Sequence, residues 1–248
     1  MPCSVPLVLF FYQEVRKLKE KIQEAISEAM ETKTAFTIPV GNGIPVPESC
    51  VVTWIIMAVL VLLSIIFTRN MKLIPGRKQM IIESFVGFLR NFFREQLGER
   101  GMRYFPYLAT VIIYIGLSNI IGLFGFTPPT KDLNVTAALS VMSIVLVEAA
   151  GIRAKGTKGW LKSFSQPVAI ITPLNIMEIG IRPLSLCMRL FGNVLASFII
   201  MEMIKAVVPV FLPVVLSAYF DIFDGFIQAY VFVFLTSLYI DEALETEE

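Results

Sequence analysis

Arg189 is the only charged residue between Pro183 and Met201, a stretch otherwise made mainly of apolar and small side chains. A carboxylate stands on either side of it, Glu178 eleven residues before and Glu202 thirteen after. At about 1.5 Å of rise per helical residue, these lie roughly 16 Å and 20 Å away in opposite directions. Asn175, Ser185 and Asn193 add amide and hydroxyl groups to the same segment, and the next apolar segment carries Asp221, Asp224 and Gln228. If the two segments run antiparallel about a turn at Pro209 to Pro213, Asp221 and Asp224 come level with Glu202, and Gln228 lies deeper, toward Arg189. The result is two polar patches separated by a cation that never deprotonates. A guanidinium attracts carboxylates but cannot relay a proton. That chemistry is ion conduction, each patch lining a water-filled half-channel, and not bond making.

Ionisable groups inside a membrane span cost at least about 2.5–3.5 kcal/mol on insertion scales, so each is a functional candidate. Structural readings stand beside the functional ones. Arg182 is one turn from Glu178, and the two form either a structural ion pair or part of an inner channel. Arg189 has the alternative of a buried arginine tying helices together. Glu148, at the end of another apolar run, is read as an interfacial or locally hydrogen-bonded group. Asn119 and Asn134 are read as inter-helix glue, and Gly116, Gly122 and Gly125 as points of close packing.

The elements that must position these residues follow from composition. The chain has 248 residues, 56% hydrophobic and 17% charged, with a mean hydropathy of +0.73, too apolar for a water-soluble domain of this size. A formal charge of +1 offers no global field for nucleic acid. Cys3, Cys50 and Cys187 are far apart and histidine is absent, so neither a zinc site nor a disulfide framework is expected, and no cofactor. Any proton relay must use carboxylates, amides and water.

Crossing about 30 Å of hydrocarbon takes about 20 apolar helical residues. Five segments qualify, 50–68, 104–126, 134–152, 167–205 and 209–240, predicting an all-α integral membrane protein. The last two are long enough to require tilting or bending, which Pro167, Pro173, Pro183, Pro209 and Pro213 permit, and together they make a slanted hairpin. The connection from Arg69 to Arg103 holds eight basic residues, and that near 153–162 holds Arg153, Lys155, Lys158 and Lys162. Both are predicted cytoplasmic, which places the N-terminus outside and the acidic C-terminal tail inside. Residues 1–49 form an extracytoplasmic region, with 50–248 as the membrane domain. Met1 to Phe11 does not read as a cleavable leader. Gln13 to Lys33 reads as a surface amphipathic helix, and Gln79 to Arg94 as one lying in the membrane interface or packed on its neighbours. Most charges of the N-terminal helix lie more than about 20 residues from the first span, beyond the reach of the charge rule.

The run Pro183-Leu-Ser-Leu-Cys-Met-Arg189-Leu-Phe-Gly-Asn193 resembles subunit a of F-type ATP synthases, whose P-x-S-x-x-x-R-L-F-G-N motif carries the stator arginine. Val51-Val-Thr-Trp-Ile-Ile, Ser118-Asn-Ile-Ile-Gly-Leu, Phe126-Thr-Pro-Pro-Thr, Asp132-Leu-Asn-Val-Thr and Gln228-Ala-Tyr-Val-Phe agree in order and spacing, so the resemblance covers roughly residues 36–242. It implies that Arg189 faces the essential carboxylate of a rotating ring of c subunits. Asn193 and Gln228 would hold or hydrate that region, Ser185 would lie by the inner half-channel, and Asp221 would belong to the outer one. Peripheral-stalk b subunits, the other subunits of the complex and the lipid of a bacterial plasma membrane are the implied partners. The chain departs from the pattern nine residues after the arginine, where many relatives have Glu or His and it has Phe198. Glu202, with Asp221 and Asp224, is expected to replace that function. No GxxxxGK[ST] loop is present, so the chain is expected to hold no nucleotide and no catalytic centre. Two other functions fit the composition. A secondary transporter would use Arg189 to bind an anionic substrate, but internal repeats are not visible. A pure scaffold leaves the polar patches unexplained.

Overall fold

The computed structural model describes residues 34–38, 44–69, 76–124, 126–164, 172–207 and 216–245, with Met71 and scattered positions between Tyr12 and Ser27. Those scattered positions are helical and exposed, with Arg16 and Glu20 paired at 3.5 Å.

A small hairpin precedes the helices. Strands β1 (Thr34–Ile38) and β2 (Ile44–Pro47) pair antiparallel with Ile38 opposite Ile44. Proline at 45 and 47 fits a two-stranded ribbon, where every strand has a free edge. Pro47, in extended conformation, leads directly into α1 (Glu48–Thr68). Only the first half of α1 packs: Val52 and Ile56 are buried, while nearly every residue from Met57 to Arg69 is exposed.

Helix α2 (Arg77–Gly101) buries Leu89, Phe93 and Leu97 and breaks at Gly98, whose φ of 60° and ψ of −174° only glycine adopts readily. Ile81, Phe85 and Phe88 remain exposed on the same helix, which suits an interfacial element. Helix α3 (Phe105–Ile120) starts with proline in its first turn, where no backbone donor is lost. It is followed by 3₁₀ turns at Ile121–Phe124 and Pro129–Lys131.

Asp132 caps α4 (Leu133–Ser163) by accepting from the Asn134 N–H. Hydropathy ends this span at 152, but the helix continues and is interrupted only at Gly156 (φ 72°, ψ 162°). The resumed turn brings the Trp160 indole back to donate to Glu148 Oε2 at 2.8 Å, so Glu148 has a local partner. Helix α5 spans Thr172–Val207, about 54 Å at 1.5 Å per residue, nearly twice a bilayer's hydrocarbon thickness. A π-helical segment, Ala218–Asp224, leads into α6 (Gly225–Leu244). Among the described residues, five helical segments are long and apolar enough to cross a membrane.

The core forms around α6, which packs against α2, α3 and α4. Phe232, Val233 and Ile240 meet Phe93, Leu108, Ile115 and Val147 there. The same interior holds Ser118, Thr136, Ser140, Ser143, Thr236 and Ser237, all essentially inaccessible. Small residues let helices approach closely where the hydrophobic effect offers no drive between them. Several hydroxyls satisfy themselves within their own helix, as Ser140 does on the Thr136 carbonyl and Thr236 on that of Phe232. Others link helices, as Tyr107 and Ser143 do at 2.8 Å.

Candidate functional site

Helix α5 has two unlike edges. Leu186, Cys187 and Leu190 are buried, packed toward α4. Leu174, Met177, Ile181, Leu184 and Met188 are exposed, as are Ile200 and Met203 further along. Arg189 and Ser185 are exposed with them. The alternative of a buried arginine tying helices together therefore does not describe this fold. An apolar face of this extent meets lipid or another protein, and a guanidinium in its middle is costly against hydrocarbon. A protein carrying a complementary anion resolves that cost.

Beyond the arginine lies a cavity of about 640 Å³. Its α5 wall begins at Val194 and continues through Ser197, Phe198 and Met201, so it starts five residues, about 7.5 Å of rise, past Arg189. Opposite stand Asp221, Asp224 and Gln228, and the remaining wall comes from Asn119 and the 126–131 connection. Asp221 and Asp224 are half-buried and Gln228 is buried. The π-helical segment presents both carboxylates to the cavity, a use of irregular helix common at functional sites. Ser217 Oγ donates to Asp221 Oδ2 at 2.8 Å.

Asn119 fixes this wall. Its amide donates to the Gly225 carbonyl at 3.0 Å and its oxygen accepts from Thr130 Oγ1 at 2.8 Å. A Cβ at Gly225 would lie 2.7 Å from Asn119 Cβ, closer than packing allows, so glycine there is what lets α6 start against α3. Of the glycines singled out in the sequence, Gly122 approaches Asp221 Oδ1, while a Cβ at Gly116 would meet nothing, which corrects the expectation of close packing at 116. Gly125 lies outside the described residues. Asn134 contributes its backbone N–H to the Asp132 cap.

The other predicted residues are distributed differently. Asn193 is half-buried, and its carbonyl accepts from Ser197 Oγ at 2.8 Å. Glu202 lies on α5 one turn beyond Phe198, its side chain outside the described residues. Asn175 Nδ2 donates to the Phe164 carbonyl at 3.0 Å, joining the start of α5 to the end of α4. Glu178 is exposed and paired with Arg182 at 3.0 Å, and Arg182 also reaches Glu242 at 2.7 Å and lies over the Tyr239 ring. The fold thus gathers Asp221, Asp224 and Gln228 at one cavity, sets Ser185 and Arg189 on an open face, and leaves Asn175 and Glu178 toward the other end of α5.

Sequence reasoning missed Lys131 and Thr127, both of which line the cavity. They sit in the short connection between the second and third apolar segments, and nothing in their spacing announces that it lines a cavity. Among the described residues, no group of three or more His, Cys, Asp or Glu side chains converges as a metal site.

The family model for the ATP synthase A chain matches residues 50–241. The chain is 37% identical to "ATP synthase subunit a 1" of Pelobacter propionicus over 242 residues, 96% of this chain and 97% of that one. It is 37% identical to "ATP synthase subunit a" of Moorella thermoacetica over 198 residues, covering 79% and 90% of the two chains. Over 222 residues it is 31% identical to "ATP synthase subunit a, sodium ion specific" of Propionigenium modestum, covering 83% and 77%. With these matches, five helices among the described residues long and apolar enough to span a membrane, and an arginine-bearing open face beside a carboxylate-lined cavity, the chain belongs to the ATP synthase A chain family, the ion-translocating stator subunits of the Fo sector.

Proposed function

We propose that the chain provides two offset half-channels that load and unload H⁺ or Na⁺ on the carboxylates of a c-subunit ring turning against α5. The single observation that carries this reading is Arg189, the one charge in the middle of an exposed apolar face, a few residues from where a cavity with two carboxylates begins. A passing ring carboxylate is drawn to the guanidinium, which holds its charge at any physiological pH. It must release its ion to approach and take another to leave. Because the arginine relays no proton, the two vestibules stay unconnected except through the ring.

Asp221, Asp224 and Glu202 serve the outer half-channel, Asn193 and Gln228 hold or hydrate the region of Arg189, and Glu178, Ser185 and Asn175 serve the inner half-channel. Residues 1–49 lie outside, residues 50–248 form the membrane domain, and the C-terminal tail is cytoplasmic, as the basic connections favour. Each charge falling through 100 mV releases about 2.3 kcal/mol, so a ring is needed to sum several such steps per ATP. The chain is a non-catalytic subunit. It holds no nucleotide, docks against peripheral-stalk b subunits as well as the ring, and resides in a bacterial plasma membrane.

The test is Arg189→Ala in the reconstituted complex, with proton and sodium uptake measured on ATP addition. Loss of coupled uptake in an assembled complex is expected, and the ion whose flux disappears names the substrate. Normal coupled uptake would make Arg189 structural and overturn the reading.

A further inference from the structure

The last turns of α4, beyond its apolar run, carry an unbalanced charge. Between Leu133 and Met177 the chain has four basic residues, Arg153, Lys155, Lys158 and Lys162, against a single acid, Glu148. That acid is engaged by the Trp160 indole. Among the described residues, none of the four basic side chains has an ion pair.

After the break at Gly156, the resumed turn is held firmly in place. Trp160 and Ala243 of α6 both pack at Gly151, 3.5 and 3.6 Å from where its Cβ would lie. Phe164 meets the Trp160 ring edge-on at 4.8 Å, and its carbonyl takes the hydrogen bond from Asn175. The side of the turn facing α4 is thereby covered. Thr157, Lys158, Leu161 and Lys162 are exposed on the other side, Leu161 at 62%.

Lys158 and Lys162 stand one helical turn apart, so their ammonium groups are neighbours and repel each other. An anion between them relieves that repulsion, and depth in the bilayer decides which anion. The apolar run at 134–152 is about long enough to cross the hydrocarbon, and Val141, Met142 and Val145 stay exposed along it. The resumed turn therefore lies where headgroups begin. At that level an exposed leucine reaches into the acyl region, while lysine stems run beside it and carry their charges to the phosphates. Basic residues just beyond a span draw anionic lipid.

We propose that Lys158 and Lys162, with Leu161 beside them, bind the phosphate headgroup of an anionic phospholipid. The inference does not depend on the half-channels, and takes from the proposed orientation only that the leaflet is the cytoplasmic one.

The test uses the complete ATP synthase complex carrying Leu161→benzoylphenylalanine, a photoreactive side chain at an exposed position. It is placed in nanodiscs of equal parts phosphatidylglycerol and phosphatidylcholine with matched acyl chains, and after irradiation mass spectrometry counts the adducts of each lipid. Phosphatidylglycerol adducts should outnumber phosphatidylcholine adducts by about threefold or more. Adding Lys158→Gln with Lys162→Gln should bring the ratio near one, whereas Lys158→Arg with Lys162→Arg should keep it. A ratio near one with both lysines present, or a preference that survives the double glutamine variant, overturns the proposal. So do adducts mainly to another subunit, which would make this face a protein contact. Inorganic phosphate in place of sodium chloride at equal ionic strength should leave the ratio unchanged. Its collapse would assign the site to free phosphate and overturn the lipid reading.

Discussion

Arg182 of α5 and Glu242 of α6 meet at 2.7 Å, although sixty residues separate them. The arginine side chain is only 14% exposed, whereas Glu242 is 58% and Glu178 48% exposed. The guanidinium is therefore sheltered between two outward-facing carboxylates and over Tyr239, and it ties the early part of α5 to the end of α6. Glu242→Gln should lower thermal stability by about 0.5–1 kcal/mol, because one half-exposed charge pair is lost. Arg182→Met, which removes both charge-assisted bonds, should cost about 1–3 kcal/mol. Thermal unfolding of the complex in nanodiscs measures both. Glu178→Gln should slow ion pumping more than Glu242→Gln does; equal slowing would place the whole cluster in the ion path and not in a tether.

The approach of Gly225 to Asn119 makes a second prediction. Gly225→Ala pushes a methyl group to within 2.7 Å of Asn119 Cβ, so α3 and α6 must separate and the bond from Asn119 to the Gly225 carbonyl stretches. Overpacking of this kind costs about 1–3 kcal/mol. It also moves the wall that carries Asp221 and Asp224, so pumping should fall along with thermal stability. Gly116→Ala, where the added atom meets nothing, should be neutral or stabilising by up to about 1 kcal/mol, as expected for glycine replaced inside a helix. Similar losses from both would show that helix propensity, and not contact at residue 225, governs the site.

What the sequence makes legible here is set by the range of the physics. Spanning helices depend on local hydropathy, so α1, α3 and α5 can be read from composition alone, and the pairing of Glu178 with Arg182 follows from a separation of one turn. Glu242 could not be found that way, because its partner lies on another helix. The hairpin at Thr34–Ile38 and Ile44–Pro47 had a weak signal in Gly41-Asn42-Gly43 between β-branched residues, with the prolines arguing against strand. The long third span shows the same limit. Lys155, Lys158 and Lys162 mark a connection, yet α4 continues past them because only Gly156 breaks it and Trp160 returns to Glu148. Lys131 looked like an ordinary turn residue. Its place over Phe198 depends on Thr130 and Asp132 being buried, which is tertiary information.

The carboxylates of the cavity supply the last prediction. Phe198 cannot bind or release a proton, so on the proposed function the groups that do so lie elsewhere, and among the described residues Asp221 and Asp224 are the acidic ones that line the cavity. Glu202, one turn along α5, is the third candidate. Removing a positioned proton-transfer group typically slows the step by about 10²–10⁴-fold, and by less where a neighbour substitutes. Asp221→Asn should therefore slow proton pumping by about tenfold, and Glu202→Gln with Asp221→Asn by about a hundredfold or more. Ser217→Ala leaves the Asp221 carboxylate in place and removes one hydrogen bond to it, so it should slow pumping by only about twofold to tenfold, equivalent to about 0.5–1.5 kcal/mol. Pumping by the reconstituted complex and growth on a respiratory substrate report these effects. Wild-type values for Glu202→Gln, Asp221→Asn and their double variant would remove Glu202 and Asp221 from the ion path and overturn their proposed replacement of the group absent at Phe198.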